Sequence, residues 1–174
     1  MSRIDFRNPY LDMQYTYDLA DLRSVDYSYE KGAEQGSIYE FLLQNKDQFR
    51  YALYMMNTGL LPFYRQREYW VTYFVTPDDK LPDEIKEMIV NLGKADIINL
   101  IKYNTVTKAL DLKYVQGTTI NYLPTLYKND TVILSSNGGN FLLNNQAQVM
   151  DQIRLPYSTI LVMDKLVFPT VFGL

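Results

Sequence analysis

The sequence predicts an α+β fold with a mostly antiparallel sheet, because helix signals dominate its first half and strand signals its second. Within residues 37–104, most apolar residues recur at spacings of three and four, as they do in amphipathic helices. After residue 130 the apolar segments are short, and Asn137-Gly138-Gly139 between two of them is a hairpin signal. With 174 residues, of which 47% are hydrophobic, the chain can bury a core of its own.

The first helix is predicted to begin at a capping box. Ser37 and Glu40 are three residues apart, so the serine hydroxyl can accept the amide hydrogen of Glu40 while the glutamate reaches back. The apolar stripe that follows continues to Met56, and Asn57 and Gly59 are typical stop residues. This pattern predicts one continuous helix.

The remaining elements follow from local composition. Residues 69–75 are β-branched and aromatic throughout, which predicts a buried strand. A second helix is expected to open at Pro82 and to end near Gly93, and a third to end at Tyr103-Asn104. The predicted strands of the second half are residues 131–134, 141–144, 148–153 and 159–167.

Composition excludes several classes of function. The chain has no histidine and no cysteine, which rules out Ser–His–Asp and Cys–His catalysis, thiol redox chemistry and zinc held by thiolate or imidazole. A net charge of −3, without any cluster of Lys and Arg, argues against nucleic acid as a partner. No apolar run is long enough for a transmembrane segment. Because the usual nitrogen and sulfur ligands are absent, we expect neither a metal nor a cofactor.

Three blocks of the chain carry a family resemblance. They are residues 72–81 (TYFVTPDDKL), 100–106 (LIKYNTV) and 159–169 (TILVMDKLVFP). They are similar, in order and spacing, to the fasciclin-like patterns T-x-F-A-P-T-[ND]-x-A-F, L-L-x-Y-H-V-V and G-V-I-H-V-I-D-x-V-L-x-P. The likeness covers about residues 37–171, so the chain resembles a divergent fasciclin-like domain, closer in character to bacterial than to animal members.

The resemblance implies an architecture and a location. It implies a fasciclin-like β-wedge of two mostly antiparallel sheets flanked by several helices, formed by residues 37–174. Residues 1–36, which are polar and rich in tyrosine, are expected to be an N-terminal extension or linker, with an ordered strap that packs over the domain as the alternative. The family lies outside the cell or on its surface, so a signal or lipid anchor is expected outside this chain.

The resemblance also implies a function. Fasciclin-like domains serve adhesion and have no general catalytic activity, so we expect a non-catalytic module that contacts a cell-surface or matrix protein, or a glycan. Tyr103 and Asn104 occupy the family's Tyr-His recognition pair, which makes them candidate partner-binding residues. The alternative is that Tyr103 packs its ring internally while Asn104 ends the helix. Leu161 also replaces a family histidine.

Two carboxylates keep an enzyme open as the alternative function. Asp78 follows a predicted buried strand and is expected to cap the next turn, and Asp164 interrupts an apolar strand and is expected to hold strand register. Both are therefore interpreted as structural. The alternative is a carboxylate-based enzyme, such as a glycoside hydrolase, in which Asp78 and Asp164 act as acid and base.

The abundance of tyrosine is the last sequence feature with a functional interpretation. Sixteen tyrosines suit either a core or a binding surface, because the ring is apolar and its tip is polar. Tyr64, Tyr69 and Tyr73 lie near Trp70, but strand alternation would send them to opposite faces. Most are therefore expected in the core or at its rim, with a sugar-binding platform as the alternative.

Overall fold

The computed structural model describes residues 33–59, 62–115, 119–128 and 130–172. Its α-helices are α1 Ile38–Gln44, α2 Arg50–Gly59, α3 Asp83–Asn91 and α4 Lys94–Tyr103. Its strands are β1 Thr72–Val75, β2 Thr105–Val106, β3 Thr119–Pro124, β4 Thr131–Asn137, β5 Asn140–Leu143, β6 Ala147–Arg154 and β7 Thr159–Met163. The α+β composition predicted from the sequence is confirmed. Within these ranges, no helix is both long enough and apolar enough to cross a membrane.

The strands form one mixed sheet of seven in the order β2-β1-β7-β6-β5-β4-β3. Every pair is antiparallel except β1–β7. A single bridge between Val106 and Thr125 connects the two ends of this order, so the sheet is a nearly closed barrel. The predicted β-wedge of two sheets is therefore wrong.

The long strand β6 explains why one sheet forms instead of two. The first two of its eight residues pair with β5, and five of the following six pair with β7, which joins the two halves of the sheet. A register shift between Val149 and Asp151 interrupts the pairing with β7. An irregularity of this kind bends a strand and increases its twist, which lets a single sheet curl towards closure.

The helix starts follow the sequence signals closely. The Ser37 hydroxyl accepts the amide hydrogen of Glu40 at 3.2 Å, while the Glu40 carboxylate accepts that of Gly36 at 2.8 Å. The glutamate therefore bonds to the amide of the residue before Ser37, whereas in the usual capping box it bonds to the amide of the N-cap residue itself.

The predicted continuous helix is wrong. The side-chain amide of Asn45 donates to the Phe41 carbonyl at 2.9 Å, and the chain turns there.

The predicted strand over residues 69–75 is shorter than expected. The amide of Val71 donates to the Tyr69 carbonyl at 3.1 Å, a tight turn that leaves Trp70 outside the sheet. The hairpin prediction is confirmed, since β4 and β5 are joined at Gly138 and Gly139. Both glycines have positive φ, at +61° and +95°, which side chains tolerate poorly.

The core has two parts that share strands β1 and β7. One part lies between the four helices and the sheet and includes Tyr73 and Ile160. The other fills the barrel, where each of the seven strands contributes a buried residue, Phe74 and Leu161 among them. Strands β1 and β7 are therefore buried on both faces along their whole length.

Residues 33–36 precede α1 and are attached to the domain. The Glu34 amide donates to the Arg65 carbonyl at 2.8 Å, and the Glu34 carboxylate accepts the Arg67 amide hydrogen at 3.0 Å. The rest of the expected N-terminal extension, residues 1–32, lies outside the described residues.

Asp78 attaches helix α2 to the end of strand β1. One carboxylate oxygen accepts the Arg50 amide hydrogen at 3.0 Å, and the other accepts that of Tyr51 at 3.1 Å. Both amides belong to the first turn of α2, where helical partners are missing. The Asp78 amide in turn donates to the Gln48 carbonyl at 2.8 Å. A carboxylate 28 residues downstream therefore serves as the N-terminal cap of α2.

The cap leads to a prediction about stability. Replacing Asp78 by Ala should lower the free energy of unfolding by about 1–3 kcal/mol, since it leaves two amides of the first turn of α2, a part-buried one and a buried one, without acceptors. The matched control is Asp79→Ala, because Asp79 is exposed and adjacent; it should stay within about 0.5 kcal/mol of the parent protein. Urea unfolding followed by circular dichroism measures both. Equal losses in the two variants would contradict the assignment.

Candidate functional site

Asn104 ends helix α4 with its side chain inside the domain. The side chain donates to the Leu100 carbonyl and to the Val167 carbonyl, each at 3.0 Å, and the residue is 3% exposed. Its own carbonyl accepts the Phe74 amide hydrogen at 2.8 Å. The residue therefore fastens α4 to β1 and to the segment after β7.

Tyr103 is held by the turn between β5 and β6. Its hydroxyl accepts a hydrogen bond from the side-chain amide of Asn144 at 3.0 Å, and the residue is 7% exposed. Asn144, in the left-handed region with φ +54°, also accepts the Ile133 amide hydrogen at 2.9 Å. Burial raises the pKa of the Tyr103 phenol, so it stays a neutral hydroxyl at physiological pH. Partner contact through Tyr103 and Asn104 stays a prediction.

Asp164 lies at the end of the β6–β7 pair. Its carboxylate accepts the Gln148 amide hydrogen at 2.7 Å, and its own amide donates to the Gln148 carbonyl at 3.0 Å. These two bonds extend the antiparallel ladder by one step beyond Met163. The contacts are of the kind that fixes strand register.

A cleft of about 430 Å³ lies where α2 begins and β1 ends. Its charged lining residues are Asp47, Arg50, Asp78, Asp79, Lys80 and Asp151. Burial raises the pKa of the Asp78 carboxyl, and the hydrogen bonds from Tyr51 and Arg50 offset part of that rise. Within the described ranges, no group of three or more carboxylates is arranged to hold a metal ion.

An aromatic surface forms beside the start of β1, and we define it as Tyr69, Trp70 and Tyr157. Trp70 is 64% exposed, and its ring meets that of Tyr157 edge-on with centroids 5.5 Å apart. The Tyr69 ring lies 4.0 Å from that of Phe63, and its hydroxyl donates to the Gln66 side chain at 3.0 Å. Neighbouring rings therefore position large apolar groups at the surface with polar atoms next to them.

The aromatic surface was not predicted from the sequence, because the composition of residues 69–75 predicts a buried strand that includes Tyr69 and Trp70. One available signal was the turn segment Pro156-Tyr157-Ser158 between two predicted strands, which sets an aromatic residue in a loop. The other tyrosines near Trp70 are buried, as expected of most of them: Tyr64 and Tyr73 are each 2% exposed. Burial raises the pKa of both phenols, so neither ionises near neutral pH.

The internal bonds of Asn104 lead to a second prediction. Asn104→Ala should lower the free energy of unfolding by about 1–3 kcal/mol, because the buried Val167 carbonyl loses its donor. Asn91→Ala is the matched control, since Asn91 makes the same side-chain bond to the residue four positions earlier but is exposed. The control should change stability by less than about 0.5 kcal/mol. Urea titrations of both variants would contradict the structural role if Asn104→Ala matched the control.

Comparison with known proteins completes the description of these candidate sites. No protein-family model matches the chain, and no curated protein matches it significantly. The aromatic surface and the cleft are therefore the features of the described residues that bear on function.

Proposed function

We propose that this protein is a non-catalytic binding module that contacts a cell-surface or matrix partner, protein or glycan, through the aromatic surface. The observation that carries the proposal is the position of Trp70, the only tryptophan of the chain, which is 64% exposed. Trp and Tyr dominate the binding energy of many interfaces, because a rigid ring buries much apolar area at little cost in entropy.

The surroundings of Trp70 support this proposal. The edge-on contact with Tyr157 restricts the indole before any partner arrives, which lowers the ordering cost of binding. Gln66, Arg67 and Glu68, which directly precede Tyr69 in the chain, are exposed polar residues, and a polar rim around an aromatic centre is typical of interfaces. The same features suit sugars, whose apolar faces pack on rings while their hydroxyl groups form hydrogen bonds.

The three blocks of resemblance support the location. They contain β1, β2 and β7, and β1 pairs with both of the others, so the blocks are neighbours in space. The proposed extracellular or cell-surface location rests on this resemblance to the fasciclin-like family.

The experiment uses Trp70 as its own reporter. Because it is the only tryptophan, its fluorescence should shift or be quenched when a partner covers the aromatic surface. Positives from a glycan array and from binding to whole cells can then be titrated without a label. Trp70→Ala should weaken binding by about thirtyfold, as expected when an interface loses about 2 kcal/mol.

The control for this experiment is Tyr114→Ala. Tyr114 is 77% exposed and lies outside the aromatic surface, so its loss should leave binding unchanged. Both variants should keep the circular dichroism spectrum of the parent, because neither side chain is in the core. Equal binding by Trp70→Ala and the parent protein would overturn the proposal.

The cleft supports a second candidate function, a carboxylate-based glycoside hydrolase. Both oxygens of Asp78 are occupied by the amides of α2, so Asp79 and Asp151 are the better candidates for acid and base. Chromogenic glycosides provide the assay. Activity that is lost in Asp79→Asn and in Asp151→Asn, but kept in Trp70→Ala, would favour this function over binding.

A further inference from the structure

Among the residues that the structure describes, no strand pairs with the outer edge of β3. Strand β3 is the last strand of the sheet order, and the bridge to β2 involves only Thr125, beyond its C-terminal end. The Pro124 carbonyl accepts the Thr107 amide hydrogen, whereas the Thr125 amide donates to Asp130 on the β4 side. Because backbone groups alternate along a strand, the N–H and C=O groups of Ile120 and Tyr122 point away from β4. Within the described residues, none of these four groups is paired.

The same strand exposes its largest apolar side chains. Ile120 is 62% exposed and Tyr122 is 69% exposed, and both lie on the outer face of the sheet. Open edges are usually protected by charged residues, yet residues 115–127 contain none. Pro124 is compatible with this edge, since its missing N–H would also have pointed outward.

We infer that β3 pairs antiparallel with β3 of a second copy of this chain, about a twofold axis at Asn121. In this register Ile120 of each copy faces Tyr122 of the other. All four outward backbone groups of each copy then form hydrogen bonds, two bonds for each facing pair. The two most exposed side chains of the strand become aromatic–aliphatic cross-strand pairs, which stabilise sheets. A single register thus pairs all the outward backbone groups of Ile120 and Tyr122 and also brings their exposed side chains into contact.

The size and charge of the contact set its strength. Five residues of each copy take part, compared with roughly 20–30 a side in a standard stable interface. The absence of charge over residues 115–127 means that no local repulsion opposes the approach of two copies. We expect a weak dimer, with a dissociation constant of about 10 μM to 1 mM. This inference does not depend on the proposed function.

Sedimentation of the full chain over a concentration series provides the first test. The parent protein should shift from monomer to dimer, and Tyr122→Lys should raise the dissociation constant at least about tenfold by placing a charge opposite Ile120. Tyr114→Lys is the matched control, because Tyr114 is equally exposed but lies outside β3, and it should dimerise like the parent. A parent that stays monomeric, or two variants that behave alike, would overturn the inference.

Cross-linking tests the register directly, since the chain has no cysteine of its own. In Asn121→Cys the two thiols meet at the axis, with Cα atoms about 4.5 Å apart, within the range of a disulfide. Thr119→Cys is the control, because the two copies of residue 119 are then offset by about 13 Å along the strand. Oxidation should give a covalent dimer of the first variant only.

Other occupants of the edge would give different results. Efficient cross-linking of both cysteine variants would mean random collision, and cross-linking of Thr119→Cys alone would mean another register. If Asn121→Cys does not cross-link under oxidising conditions, the two β3 strands do not meet at this residue. Each of these results would overturn the inference.

Discussion

The burial of β1 and β7 on both faces is the constraint on which the rest of the structure depends. The helices cover one face of this parallel pair and the barrel interior covers the other, so after an initial threonine each strand contains only apolar and aromatic residues. Parallel strands in such a position read as continuous hydrophobic runs. Polar groups beside these strands are paired at the strand ends, where Asp78 accepts the first amides of α2 and Asn104 donates to the Val167 carbonyl after β7.

A similar arrangement secures the opposite ends of the two strands. The Thr72 hydroxyl donates to the Lys108 carbonyl at 2.6 Å and accepts the Leu110 amide hydrogen at 2.8 Å. The Leu110 carbonyl accepts hydrogen bonds from the Thr159 hydroxyl at 2.6 Å and from Arg154 at 2.8 Å. The loop after β2 thus closes this end of the barrel with a network in which each buried polar group is paired, as low-dielectric interiors require.

Local features of the fold could be predicted from the sequence, whereas features that depend on distant segments could not. The Ser37 box and the Gly138-Gly139 hairpin act within a few residues, so their chemistry is visible in the chain itself. The number of sheets depends on the pairing of β6 with strands on both sides, which no local pattern encodes. The break in the predicted continuous helix is an exception, since its cause is local: the side chain of Asn45 competes with the backbone hydrogen bonds of the helix.

In the candidate sites, too, the contacts that could not be predicted from the sequence are those between distant segments. Asp78 was predicted to cap the next turn and Asn104 was a candidate partner-binding residue, whereas the partners that the structure gives them, Arg50 and Val167, are 28 and 63 residues away in the chain. The contact of Trp70 with Tyr157 joins two loops in the same way, so composition alone could not distinguish an exposed ring from a buried one.

The distribution of tyrosines explains how one residue type can serve both the core and the surface. Tyr39 and Tyr64 are buried, and their hydroxyls bond Asn57 at 2.6 Å and Thr105 at 2.7 Å, which pairs the polar tip that burial would otherwise penalise. Tyr122 and Trp70, in contrast, are exposed at the surface.

A pair of copies joined at β3 would carry two aromatic surfaces, and a repetitive partner could engage both at once. Linked sites gain avidity through effective concentration, so two weak contacts together can hold a partner that neither would hold alone.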